Sequence, residues 1–222
     1  MTKGLTVTLF AATLLGLLSA APAAAQAADS VTVGSLSAPA GSTIDVPVSI
    51  RDVSGTPLGL DQPPGSRIQS YSIKVDYSPA ASVQSVTFTR AGITASLTPT
   101  FEASPASPGS ISLLDTFQEA TNLIPFTLNA PPPGDQVAVL HVTISPTATV
   151  GSTITLALDP VLTQLTDQAG TASTRESVTN ANLVLVPGAI LVTTPIPAFS
   201  TWALALLAIA LAAIAVVMLP RM

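Results

Sequence analysis

His141 is the only histidine in the 222-residue chain, and cysteine is absent. Thiolate nucleophiles and disulfides are therefore excluded, and acid–base work near neutral pH falls to one imidazole. A general base needs a nucleophile within hydrogen-bond reach. His141 lies in the outward phase of the alternating stretch Ala138-Val139-Leu140-His141-Val142-Thr143-Ile144, and no Gly-x-Ser-x-Gly elbow supplies a partner. It reads as a solvated strand residue.

Asp115 and Glu119 offer two carboxyls for glycoside hydrolysis, in which an acid and a base or nucleophile flank the sugar bond. Asp115 nevertheless alternates with apolar neighbours as ordinary strand residues do. Asp159 and Asp167 could meet a calcium ion, but the dense Asp/Asn ladder of a calcium loop is missing, so turn-forming roles are expected. Tyr71 and Tyr77 share a strand phase with Ile73 and Val75. That stripe suits core packing better than sugar stacking, because the phase is otherwise aliphatic. No Gly-rich phosphate loop or metal-ligand cluster is present. The expectation is a non-enzyme with no cofactor, no metal and no catalytic residues.

These residues sit in a chain of low charge. Between residues 28 and 195 five basic side chains (Arg51, Arg67, Lys74, Arg90, Arg175) face twelve acidic ones, a formal charge of −7. Without a basic stripe to replace phosphate counterions, nucleic acid is excluded as a partner.

The positioning elements read as strands. Val31-Thr32-Val33 opens, with a turn at Pro39-Ala40-Gly41. Ile44, Val46, Val48 and Ile50 then face one way, and Asp45, Ser49 and Arg51 the other. Pro47 cannot donate a ladder hydrogen bond, which calls for an edge or a bulge. After the Gly- and Pro-rich loop 52–67, strands are expected around 70–77, 83–88, 111–117, 138–144, 154–158, 161–165 and 182–186. Turns fall at 104–109, 151 and 167–170, and a Pro-rich loop at 130–135. No stretch here carries a helical period. About nine short strands imply an all-β sandwich or barrel in one domain, 28–193, expected to be monomeric.

The ends differ. Lys3, an apolar run over 5–18 and Ala25-Gln26-Ala27 form the three regions of a secretory signal peptide, 1–27, with cleavage expected after Ala27 and Ala23 to Ala25 as the alternative site. Residues 202–219 contain no charge, Gly or Pro. At 1.5 Å per residue they make a helix of about 27 Å, a membrane-spanning length. Trp202 suits the interface and Arg221 follows the run.

Two resemblances follow. Ile196-Pro197, Ser200, Trp202-Ala203-Leu204, the apolar run and the basic end resemble C-terminal sorting signals of the IPTL-CTERM and PEP-CTERM type, here residues 194–222. That resemblance implies an exosortase-like processing protease, export across the inner membrane, and display as a membrane-anchored, cell-surface or matrix protein. The ordered segments Val31-Thr32-Val33, 40–48, Tyr77-Ser78-Pro79, Val137-Ala138-Val139-Leu140 and 166–170 resemble a cohesin-type domain. The family implies a nine-stranded jelly-roll sandwich, related to carbohydrate-binding modules, that docks a dockerin-like protein. Ser78 stands where the family often has Asp, and Ala181 follows Asn180 where Asn-Gly is usual. The expected function is thus an exported, non-catalytic binding module for a protein or extracellular polysaccharide. The alternative is a structural or adhesive matrix or biofilm protein without a specific dockerin partner.

Overall fold

The computed structural model describes residues 27–195 and, beyond them, Ile209. Ala25, the sorting-motif residues Ile196, Pro197, Ser200 and Trp202, and all of 202–219 except Ile209 lie outside the described residues. Among the described residues no helix is long and apolar enough to cross a membrane.

Alternation of small polar and β-branched residues makes this chain a sequence of strands. They are β1 (Asp29–Val33), β2 (Ser35–Pro39), β3 (Thr43–Arg51), β4 (Ser70–Ser78) and β5 (Val83–Arg90). Next come β6 (Phe101–Ala103), β7 (Ala106–Ser107), β8 (Ser110–Thr116), β9 (Asp135–Ile144) and β10 (Thr153–Leu158). The last are β11 (Gln164–Thr166), β12 (Arg175–Glu176), β13 (Leu183–Val186) and β14 (Gly188–Thr193). The described helix is limited to four three-residue 3-10 turns, apart from the isolated Ile209.

Two sheets face each other, which makes the described residues an all-β sandwich. The smaller runs β13-β1-β3-β9-β5, and the larger runs β12-β11-β4-β10-β14-β2, with β8 on the other edge of β4 and β6 and β7 paired to β8. The chain's first and last strands close it in parallel, β1 on β13 and β2 on β14. Antiparallel pairs make up the rest. The inward phases of both sheets meet in one core that includes Val46, Val48, Ile50, Ile73, Val75, Leu140, Val142, Ile154 and Leu156. Tyr71 belongs to it, 1 % exposed, with its ring centroid 6.2 Å from that of Phe117. Tyr77 packs against the same core from a partly buried position.

The expected strand grammar holds for the long strands and needs correction at the short ones. The described chain has fourteen strands instead of about nine. β2, β6, β12 and β14 lie outside the expected set, the turn at 104–109 contains β7, and the strand expected at 161–165 shrinks to β11. Pro47 lies on an interior strand, between β1 and β9, so the edge alternative fails. A register shift follows immediately between Val48 and Ser49, with Val137 of β9 as the extra residue. The bulge alternative stands.

Ala181 holds the left-handed conformation, φ 58°, closing the turn into β13. A Cβ at such a φ costs roughly 1 kcal/mol, partly offset because Gly loses more entropy on folding. Ala181→Gly should therefore raise stability by about 0.5–1 kcal/mol in urea denaturation. An unchanged or lower midpoint would show that the turn carries no strain.

Candidate functional site

The outer face of the larger sheet is built from the outward phases of β4, β8, β10 and β11. Ser70, Ser72, Lys74 and Asp76 come from β4; Ser112, Leu114 and Thr116 from β8; Thr155 and Ala157 from β10; and Gln164 and Thr166 from β11. Serines and threonines from adjacent strands place a row of hydroxyls on this face. Apolar residues stand around it: Phe101 is 54 % exposed, Val161 62 % and Leu162 49 %. The Ser72 hydroxyl donates to the Leu162 carbonyl at 2.7 Å, tying the Val161-Leu162 bulge to the sheet.

That bulge exists because β10 and β11 share one edge of β4. β10 pairs with the stretch from Val75 to Ser78 and β11 with the stretch from Ser70 to Ser72. Asp159 holds the chain between them. Its carboxylate accepts from the Val161 and Leu162 amides at 2.8 and 2.9 Å and pairs with Lys74 Nζ at 2.9 Å. The Lys74 ammonium, followed by the amides, holds the Asp159 carboxyl below its ordinary pKa. Asp167 has a similar role in the next turn, accepting from the Thr171 amide at 2.9 Å and from the Thr174 hydroxyl. Burial opposes ionisation of Asp167, yet these donors outweigh it and its pKa falls. Both aspartates have the turn-forming roles expected of them.

Between Phe101 and Gln164 the face dips into a pocket of about 110 Å³ lined by Ser70, Ser72, Leu114, Thr116 and Thr166, with Tyr71 and Asp115 among its walls. Asp115 is 1 % exposed. The Tyr71 hydroxyl lies beside its carboxyl, though neither group completes a well-formed hydrogen bond. Burial pushes the Asp115 pKa up to about 6, with Tyr71 and Arg90 pulling back and Glu102 adding to the rise. Glu119 has other partners: it accepts from the Gly65 amide at 2.7 Å and pairs with Arg67 at 3.5 Å. The Asp115 and Glu119 carboxyls thus have different partners and serve separate structural environments. Arg67 and Glu119 fasten the loop 52–67.

On the opposite face, His141 occupies the outward phase of β9 as expected. Its Nδ1 meets Asp45 Oδ1 of β3 at 2.5 Å, and its Nε2 meets the Thr89 hydroxyl of β5 at 2.7 Å. The order Asp-His-Thr follows that of a catalytic triad. Here it runs across three neighbouring strands on an exposed face, with Asp45 and Thr89 both open to water. Its evident effect is to tie the three strands together. Phe101 is the feature that sequence reading missed: it lies on a three-residue strand, too short to show a period.

Residues 194–221 match a family model described as the IPTL-CTERM motif. No curated protein matches the chain. Among solved structures the chain is similar to the third cohesin of ScaC from Acetivibrio cellulolyticus, determined in complex with the ScaB dockerin. The identity is 20 %, the TM-score 0.52, and the match covers 75 % of this chain and 99 % of that one. The sixth cohesin of scaffoldin B from the same organism, in complex with the Cel5 dockerin, has a TM-score of 0.51 at 15 % identity, covering 74 % and 99 %. The OlpC cohesin of Clostridium thermocellum, in complex with Doc435, has a TM-score of 0.51 at 16 % identity, covering 77 % and 97 %. At such identities the likeness is one of fold. The chain carries a cohesin-type sandwich followed by an IPTL-CTERM motif.

Proposed function

We propose that the protein is an exported, surface-displayed, non-catalytic binding module whose sandwich docks a protein partner of dockerin type. The observation that carries this reading is the outer face of the larger sheet. Exposed Phe101, Val161 and Leu162 beside a field of hydroxyls give a protein partner apolar anchors next to groups that can hydrogen-bond. The dockerin complexes among the similar structures support the class of partner. Residues 1–27 act as the signal peptide and 194–222 as a sorting tail with a span at 202–219, processed by an exosortase-like protease.

The IPTL-CTERM match also favours a second reading, a matrix or adhesive protein that holds polysaccharide. The test uses the full chain in detergent against immobilised dockerin modules and, separately, soluble polysaccharides. Phe101→Ala combined with Leu162→Ala should weaken dockerin binding at least tenfold, as loss of anchor residues does. Val184→Ala, on the other sheet, should leave it unchanged. Equal binding by the parent and the double variant would reject this face. Retention on polysaccharide alone would replace the docking reading with the matrix one.

A further inference from the structure

Three carboxylates lie fully buried on one side of the fold, at 0 % exposure each: Asp29 at the start of β1, Asp52 just past β3, and Glu176 in β12. The backbone of the adjoining loop folds onto them. Asp29 accepts from the Val53 amide at 2.6 Å, Glu176 from the Leu58 amide at 2.9 Å, and Asp52 from the Leu60 amide at 2.9 Å. Asp61, in the same loop, accepts from the Gly55 amide at 2.8 Å.

These bonds do not use up the carboxylates. Glu176 Oε2 and Asp52 Oδ1 are buried with no hydrogen-bond partner. The Asp29 and Glu176 carboxyls adjoin each other. Among the described residues no Lys, Arg or His forms an ion pair with any of the three. The neighbouring Arg51 donates its Nε–H to the Ala130 carbonyl at 2.7 Å. Ionised together, these carboxyls would be buried anions without a counter-charge, which is costly, and an orphaned buried oxygen adds its own desolvation penalty.

The atoms around the pair are also oxygens. The Thr56 hydroxyl lies 3.4 Å from Asp29 Oδ2 and contacts the Leu58 carbonyl oxygen. Among the described residues no group of three His, Cys, Asp or Glu side chains could hold a metal by itself. Any ion here must therefore take hydroxyl and carbonyl oxygens alongside two carboxylates. Calcium accepts such mixed, hard-oxygen sets, whereas zinc prefers nitrogen and sulfur, and magnesium holds to octahedral geometry with several waters.

We propose that Asp29 and Glu176, with the Thr56 hydroxyl and the Leu58 carbonyl, bind one calcium ion that fastens the loop 53–67 to β1 and β12. Asp52 adds negative charge beside this centre, acting on both Asp29 and Glu176. Gly59 keeps the loop close at φ 138°, where a Cβ would collide with Asp52 Oδ1. The site does not depend on the docking reading, because its carboxylates are buried and it needs no partner.

The experiment titrates the full chain, in detergent, with calcium chloride and with magnesium chloride by calorimetry, and follows thermal unfolding in calcium or in EDTA. One calcium should bind, and about 10 mM calcium should raise Tm by about 3–6 °C, as tenfold excess over a site of about millimolar affinity does. Magnesium at the same concentration should give a smaller shift. The double variant Asp29→Asn, Glu176→Gln should lose the calcium shift while keeping its strand signal in circular dichroism. Thr56→Val, which leaves both carboxylates in place, should weaken calcium at least tenfold and covers the case of a double variant that fails to fold. Identical melting of the parent in calcium and EDTA, with no heat of binding, would overturn the proposal. So would a full calcium response in either variant.

Discussion

At pH 8 the Asp115→Asn variant is expected to be more stable than the parent, by up to about 3 kcal/mol, and the advantage should disappear by pH 4. The Asp115 carboxyl titrates at about 6 in the folded chain, and an aspartate in an unfolded chain titrates at about 3.9. Between these values the folded state holds a proton that the unfolded state has released. Stability therefore falls as pH rises from about 4 to about 6 and stays lowered above that window. A gap of about two pH units between the folded and unfolded titrations corresponds to about 3 kcal/mol. The asparagine cannot ionise, so its variant lacks this slope, while carboxyls that do not interact with Asp115 titrate alike in both chains and cancel in the difference. Urea denaturation of both proteins at each pH from 4 to 8 reads the effect. Parallel curves would show that the Asp115 carboxylate is solvated in the folded protein and that the pocket beside Tyr71 is wetter than its burial implies.

The physical cause of that raised pKa is half legible in the sequence. The alternation of Ile111, Leu113 and Asp115 puts all three on one face of β8, and the structure buries all three. What the alternation cannot supply is the neighbour across the sheet. Asp115 pairs in register with Tyr71 because β8 lies on β4, and that pairing comes from the topology. Asp29, Asp52 and Glu176 are less legible still. They come from opposite ends of the domain, brought together by the parallel closure of β1 on β13 and the short β11–β12 hairpin. Each taken alone reads as a turn aspartate or a polar strand residue.

The missed strands have a similar explanation. β2 and β14 are apolar in only some of their length and pair in parallel with each other, so neither shows the hairpin signal that marks the others. Long antiparallel strands with one wet face announce themselves by period. Short, parallel or edge strands are decided by partners far away in sequence.

The same period gives the second large effect. Leu140→Ala should cost about 2–5 kcal/mol and lower Tm by roughly 5–20 °C, whereas Val139→Ala, one residue away, should stay within about 1 kcal/mol. Leu140 is 0 % exposed, with Val46 of β3 and Phe88 of β5 as its cross-strand neighbours, so its removal leaves a cavity among rigid strands. Val139 points the other way and is only partly buried. Denaturant midpoints of the two variants decide the matter. Equal costs would mean that β9 is not two-faced. Its register against β3 and β5 would then be wrong by one residue, and with it the Asp45–His141–Thr89 contacts that depend on His141 facing outward. A large difference fixes that register. It also assigns His141 to the outer face of the smaller sheet, on the far side of the core from the Phe101 face proposed for docking.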